Sequence, residues 1–334
     1  MSKPKSQQSG SMSAADRAAD REPTSADAAR AVRAGLGVET RSIERFPTGS
    51  EFYVYDIVTS DQRRVVARLA TATSRATLAG GVYWRPRLQD VGVPMPALLH
   101  ADLAPADGFP YTLLERLPGQ DLGHVYDQLA PEQRRELAAR IVGIQRAVAT
   151  LPQASGYGFA LSYDDPGLRS SWLEVVLGDL ERSRGRLSAS GVAPLAHVER
   201  VRARARAMAD QLRAIQPVAF LDDTTTKNVI VHEGRLSGIV DTDFVCFGDP
   251  LFTLALTRLA LLAHMMDASY ADDWQALLAL TPDQERALAL YVAVFAVGFM
   301  SELGQRFNRE QPLATDHAYL RRLETILDDA LTPL

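Results

Sequence analysis

The chain has 334 residues, 46% hydrophobic and 23% charged, with a formal net charge of −5. That balance is ordinary for a soluble globular protein able to bury a sizeable core. No apolar run approaches the about 18 residues of a membrane-crossing helix, and the single Cys246 excludes an internal disulfide framework or a thiolate zinc site. The polar, Ala/Ser-rich start lacks a signal-peptide pattern, so the expected compartment is the cytoplasm and no membrane partner is expected. From Leu221 onward there are 17 Asp and Glu against 8 Lys and Arg. This acidic third disfavours nucleic acid as a partner. It fits either a cationic small substrate or solvated helix faces.

Residues 1–25 read as a disordered tail. Ser25-Ala26-Asp27 caps a short expected helix through Leu36. Strands are expected over Thr40 to Phe46, Glu51 to Val58 and Arg64 to Leu69, because β-branched residues alternate between short turns. A helix follows from about Arg75 to Asp90, weakened by Gly80, Gly81 and Pro86, and Gly92-Val93-Pro94-Met95-Pro96 ends it. The first three strands suggest an antiparallel meander, and two more strands, Ala97 to Ala101 and Tyr111 to Leu117, follow the helix. After Pro118-Gly119 the pattern turns helical. Expected helices span Leu129 to Leu151, Ser171 to Arg186, Leu195 to Ile215, Pro250 to Asp267, Ala271 to Leu280, Pro282 to Gln305 and His317 to Leu331. The expected fold is therefore α+β and bilobal. A small β lobe, 26–117, joins a larger helical lobe, 118–334, with a cleft between them.

The chemistry concentrates between Leu221 and Asp243. Asp223 is followed by Asn228 five residues later, then by a hairpin (Val229 to His232, turn Glu233-Gly234-Arg235, Leu236 to Val240), then by Asp241. The order suits phosphoryl transfer from Mg-ATP. One carboxylate faces the acceptor hydroxyl, while an amide oxygen and a second carboxylate serve as hard ligands for Mg²⁺. Any one of these residues alone reads as a turn former; the ordered set is the signal. Lys227, just before Asn228, is placed either to stabilise charge on the transferring phosphate or as a solvated loop lysine. Thr48, Gly49 and Ser50, between the first two strands, form either a phosphate-covering loop or an ordinary hairpin turn. Arg68 is a candidate phosphate-pairing cation, or a solvent-facing strand residue. The backbone of Glu115 and Leu117, where the lobes join, is placed to meet an adenine edge. Asp249 before Pro250 reads as a helix N-cap.

In this order the motifs resemble the aminoglycoside phosphotransferase family of small-molecule kinases, which share the protein-kinase-like fold. The resemblance runs from about Glu39 to the C-terminus. It rests on the turn at Gly49, Val65-Val66-Ala67-Arg68, Gly92-Val93-Pro94-Met95-Pro96, Tyr111 to Gly119, Asp223-x4-Asn228, Gly238-Ile239-Val240-Asp241-x-Asp243 and Gly248-Asp249-Pro250. Ser155-Gly156-Tyr157-Gly158 with Trp172 is similar to the hygromycin-type members. The resemblance implies Asp223 as the catalytic aspartate, Asn228 and Asp241 as metal ligands, and Arg68 as the triphosphate contact.

Two departures accompany it. Leu221-Asp222-Asp223 stands where the family has His-Gly-Asp, and the extra carboxylate of Asp222 is expected to raise one pKa of the pair. The acid that pairs with the strand cation should fall near Gly81, yet no Asp or Glu lies between Leu69 and Gln89. Arg68 is therefore expected to lack its ion-pair partner.

The expected activity is ATP- and Mg²⁺-dependent phosphorylation of a hydroxyl on a small molecule, with an aminoglycoside-like antibiotic as the leading acceptor, in a monomer or homodimer. A kinase of another metabolite (a macrolide or an amino alcohol) and a nucleotide-binding pseudokinase are the alternatives.

Overall fold

The computed structural model describes residues 21–47, 51–307 and 313–332. The first helix, α1 (Ser25–Leu36), begins at a capping box in which Thr24 and Asp27 satisfy each other's backbone groups. Of the tail expected over residues 1–25, residues 1–20 lie outside the described residues. Arg21 to Thr24, in contrast, lie against the body of the protein. The Tyr55 hydroxyl donates to the Pro23 carbonyl at 2.8 Å, and Arg21 pairs with the buried Asp27 at 2.7 Å.

Five antiparallel strands, β1 (Thr40–Arg45), β2 (Tyr53–Thr59), β3 (Arg64–Leu69), β4 (Leu98–Asp102) and β5 (Tyr111–Glu115), form one sheet in the order β1-β2-β3-β5-β4. Alternation sorts the two faces. Tyr53, Tyr55, Ile57, Val65, Ala67, Leu69, Tyr111 and Leu113 pack against Ala28, Ala31 and Val32 of α1. Each such fully buried large side chain contributes about 1.5–3 kcal/mol. Arg68, between Ala67 and Leu69, therefore leaves by the opposite face, on a central strand rather than an edge.

Between β3 and β4 runs α2 (Arg75–Asp90). Its Trp84 and Leu88 join the core of the C-terminal region, not the sheet core. The Trp84 indole donates to the Ala160 carbonyl at 2.6 Å. The helix is thereby fastened to the helical region, with its glycines facing the acidic loop.

The C-terminal region is mainly helical: α3 (Leu122–Val125), α4 (Pro131–Val148), α5 (Trp172–Ser190), α6 (Leu195–Ala207), α7 (Ala209–Ala214), α8 (Leu251–Ala263), α9 (Ser269–Leu278), α10 (Pro282–Glu302) and α11 (His317–Leu331). The single helix expected over Leu195 to Ile215 is two helices, broken at Met208. Among the described residues, no helix is long and apolar enough to cross a membrane.

Six short strands set the geometry of the cleft floor. β6 (Gln120–Asp121), β9 (Val229–His232) and β10 (Arg235–Ile239) form one sheet, and β7 (Gly158–Ala160), β11 (Val245–Gly248) and β8 (Val218–Phe220) form another. The β9–β10 hairpin turns through Glu233 (φ 49°) and Gly234 (φ 74°), both left-handed as a two-residue I′ turn requires. Strand β11 is fully buried and pairs Cys246 with Phe220 and Phe247 with Ala219. Since β8 runs directly into Leu221-Asp222-Asp223 and β11 begins one residue after Asp241-Thr242-Asp243, across Phe244, this pairing pins the two acidic segments side by side.

Candidate active site

The Asp223 loop is held by its own backbone and side chains, by α4, by the Gly123 N–H of α3 at the Thr226 carbonyl and by the Thr253 hydroxyl of α8 at the Thr224 hydroxyl. Asp223 Oδ1 accepts from the Thr225 N–H at 3.0 Å, an Asx turn that fixes the carboxylate. Asn228 Nδ2 donates to the Asp223 carbonyl at 3.2 Å. Its Oδ1 has no hydrogen-bond donor among the described residues and is the end left for a cation. The Val240 N–H donates to the Asn228 carbonyl at 2.9 Å, so the hairpin's return leg is tied to the loop it left.

Where the family resemblance implies a histidine, Leu221 is buried and is held by Gln145 of α4. The Gln145 amide donates to the Leu221 carbonyl at 3.0 Å and its Oε1 accepts from the Leu221 N–H at 2.9 Å. Gln145 also reaches the Thr224 hydroxyl at 3.3 Å. Sequence reasoning missed this residue. Its signal was a polar side chain one helical turn after Ile141, on the apolar stripe of α4.

Asp241 sits at φ 62°, a strained value for a non-glycine residue. The side chain is 57% exposed toward the cleft. The protein packed around it nevertheless pushes its carboxyl up to about 7, against the pull of Arg68 and with Asp243 and Asp223 adding to the push. The expected coupling of the adjacent pair falls on Asp222. Burial, with Asp223 and Asp241 nearby, raises its carboxyl well above the usual range.

Arg68 is buried and is not without a partner, which corrects the expectation from the missing helix acid. Its Nη1 donates to Asp243 Oδ1 at 2.9 Å, its Nη2 donates to Asp243 Oδ2, and Nη2 also meets Asp241 Oδ1 at 2.9 Å. The Phe52 ring lies 4.4 Å beneath the guanidinium carbon. Burial opposes the charge of Arg68, but the two carboxylates overcome it and hold the guanidinium above its ordinary value.

The remaining expected site residues divide. Glu115 ends β5, its N–H bonded to the Ala97 carbonyl at 2.9 Å. Leu117 gives its carbonyl to the Arg116 guanidinium at 3.1 Å, while its N–H makes no hydrogen bond among the described residues. Leu117 packs beside Gly238, where an added Cβ would lie 2.8 Å from the leucine methyl and 3.1 Å from the Pro94 carbonyl. Lys227 is exposed, next to the cleft and unpaired among the described residues. Thr48, Gly49 and Ser50 lie outside the described residues. Asp249 has the expected capping role, accepting from the Leu251 N–H at 3.0 Å, and also accepts from the Tyr291 hydroxyl at 2.9 Å.

No three His, Cys, Asp or Glu side chains among the described residues converge as a metal cage. One open carboxylate and one free amide oxygen suit an Mg²⁺ whose other ligands are phosphate oxygens and water.

Solved structures share the fold across nearly the whole chain. Aminoglycoside phosphotransferase APH(4)-Ia, as a thermostable mutant in ternary complex with AMP-PNP and hygromycin B, superposes with a TM-score of 0.65 at 15% identity, covering 91% of this chain and 97% of that one. A putative fructosamine-3-kinase from Thermobifida fusca YX-ER1 gives 0.60 at 15% identity, covering 91% and 98%. A GDP complex of an aminoglycoside 2'-phosphotransferase-IIIa mutant gives 0.64 at 14% identity, covering 90% and 94%. No curated protein matches. The model of the phosphotransferase enzyme family matches residues 42–290, which take in the sheet, the Asp223 loop and the Asp241 segment, and the chain belongs to that family of small-molecule kinases.

Proposed function

We propose that the protein transfers the γ-phosphoryl group of ATP to a hydroxyl of an amine-bearing polyol. The observation that carries this reading is the pinning of Asp223 and Asp241 by β8 and β11, with Asn228 bonded to the Asp223 backbone between them. In the proposed complex, the Leu117 N–H donates to the adenine edge beside Glu115. Arg68 lies against the triphosphate. Asn228 Oδ1 and the Asp241 carboxylate hold Mg²⁺, which would neutralise charge on the β- and γ-oxygens. Asp223 accepts the hydrogen bond of the acceptor hydroxyl and orients it in line with the phosphorus. Lys227 extends into the cleft toward the oxygens that gain charge.

The names of the structurally similar proteins support this acceptor class: an aminoglycoside and a fructosamine are both polyols carrying an amine. The acidic C-terminal third adds less than its charge suggests. Asp267, Asp272 and Asp273 are paired with Arg134, Arg258 and Arg135 respectively.

The test is phosphorylation of a panel of aminoglycosides, fructosamines, amino alcohols and macrolides with labelled ATP. Asp223→Asn should lower turnover on the best acceptor by about 10²–10⁴-fold while leaving Mg-ATP binding intact. Full turnover by that variant would overturn the assignment, and nucleotide binding without turnover on any acceptor would favour a pseudokinase.

A further inference from the structure

Arg68 is bound by a residue 175 positions away, on the loop that carries the proposed metal ligand. The place where α2 would present an acid is empty of side chain because residue 81 is glycine. A Cβ built on Gly81 would overlap Asp243 Oδ1, and one on Gly80 would lie 2.7 Å from the Asp243 carbonyl oxygen. The Asp243 carboxylate thus fills the space above the bare face of the helix. One turn further along α2 stands not an acid but Arg85, bonded to the Pro96 carbonyl. Burial and the nearby Arg68 draw its guanidinium down to about 10, and Asp243 opposes that shift. Asp243 is 3% exposed; unpaired, a carboxylate so buried would be costly.

Protein kinases arrange the same elements with the two residues reversed. The helix after the third strand carries a Glu that pairs with the strand cation, and the metal-binding D-F-G segment has Gly two positions after its Asp. Here the helix carries Gly81, and Asp243 stands two positions after Asp241.

We propose that Asp243 is a positioning residue that replaces the helix acid. It holds the Arg68 guanidinium, by its two terminal nitrogens, at the depth where Arg68 meets the triphosphate. The inference rests on the nucleotide-binding reading above. Its consequence is that the phosphate cation and the metal carboxylate ride on one segment. Arg68 touches Asp241 and Asp243 together, so a shift of the Asp241 loop moves both contacts to the phosphates at once. In the helix-acid arrangement they are supplied by separate elements.

Because the two residues contend for one space, exchanging them tests the inference. In Asp243→Gly, Arg68 loses its bidentate partner, and Mg-ATP affinity by calorimetry should fall tenfold or more. Adenosine, which has no phosphates, should bind as it does to the wild type. The double variant Gly81→Asp/Asp243→Gly returns a carboxylate to the same space from the helix side and should recover most of the lost affinity. Gly81→Asp alone sets two carboxylates in overlap and should bind Mg-ATP worse than the double variant. Wild-type affinity in Asp243→Gly would overturn the inference, as would a folded double variant no better than Asp243→Gly. Equal loss of adenosine and Mg-ATP would also overturn it, by making Asp243 a purely structural residue. In each of these cases the wild type still binds Mg-ATP; a wild type that binds none would remove the kinase reading itself, and the inference with it.

Discussion

Gln145 holds Leu221 by both of its backbone groups, the amide donating to the carbonyl at 3.0 Å and accepting from the N–H at 2.9 Å. A single side chain from α4 thus does the work of a strand partner for the residue that leads into Asp223. The apolar side chain of Leu221, where the family resemblance implies histidine, is compatible with a fixed loop because the bracing comes to its backbone.

Gln145→Leu keeps the apolar contacts of α4 and removes both hydrogen bonds. It leaves the Leu221 N–H and C=O buried without partners, at about 1–3 kcal/mol for each buried unsatisfied group. Urea denaturation should report a loss of about 2–6 kcal/mol for the two groups together, and turnover should fall further than stability alone explains because Asp223 is no longer fixed. A variant as stable and as active as the wild type would show that the loop is held by other means.

Gly248, at the end of β11, lies so close to the Trp172 ring that an added Cβ would overlap it. That ring is fully buried, and its indole donates to the Tyr291 hydroxyl at 2.9 Å. Gly248→Ala must displace the tryptophan or the strand, and overpacking of this kind costs about 1–3 kcal/mol. Since β11 pins the Asp241 segment, the loss should appear in thermal unfolding and in a weaker response to Mg-ATP together. Tm and nucleotide affinity both at wild-type level would show that the strand moves freely.

The strands of the five-stranded sheet and α2 were legible because each rests on a local pattern: alternation along β2 and β3, and helical spacing that survives Gly80, Gly81 and Pro86; the order that sets β5 rather than β4 beside β3 was not. The proposed metal and base residues were legible because their order along the chain carries the chemistry. The short strands β7, β8 and β11 were not, since three or four residues are too few to show a period. The break at Met208 interrupts a continuous apolar spacing without proline or glycine to mark it. The partner of Arg68 was hidden for a different reason. Gly81 is an absence on one element and Asp243 a presence on another, and only the tertiary fold sets one against the other.

Asp249 is buried between the first turn of α8 and Tyr291. Burial raises its carboxyl pKa, against the pull of the Leu251 N–H and the Tyr291 hydroxyl. For a carboxyl raised in the folded state, the stabilising contribution is fully present below the unfolded value of about 3.9. It is lost as pH climbs through the folded value, because the unfolded chain ionises more readily. Asp249→Asn does not ionise, and its amide oxygen still accepts from Leu251. Its stability relative to the wild type should therefore improve as pH rises from about 4 and level off once pH passes the folded value, in parallel urea titrations. A difference that stays constant across that range would mean that Asp249 ionises as easily folded as unfolded.

Lys227 is the proposed site residue whose loss should separate chemistry from folding most cleanly. Its backbone neighbours are fixed: Asn228 N–H donates to the Thr225 carbonyl at 3.0 Å, and Gly123 N–H donates to the Thr226 carbonyl at 3.1 Å. The side chain itself is exposed and makes no hydrogen bond or ion pair among the described residues, so Lys227→Ala should change stability by less than about 0.5 kcal/mol. If its ammonium meets the phosphoryl oxygens only as they gain charge, kcat should fall by about tenfold to a hundredfold with the KM for ATP little changed, because the lost interaction belongs to the transition state. A rise in KM at constant kcat would instead make it a ground-state phosphate contact. Unchanged kinetics would leave Asp223 and Arg68 as the only proposed side chains besides the metal ligands that act at the transferring group.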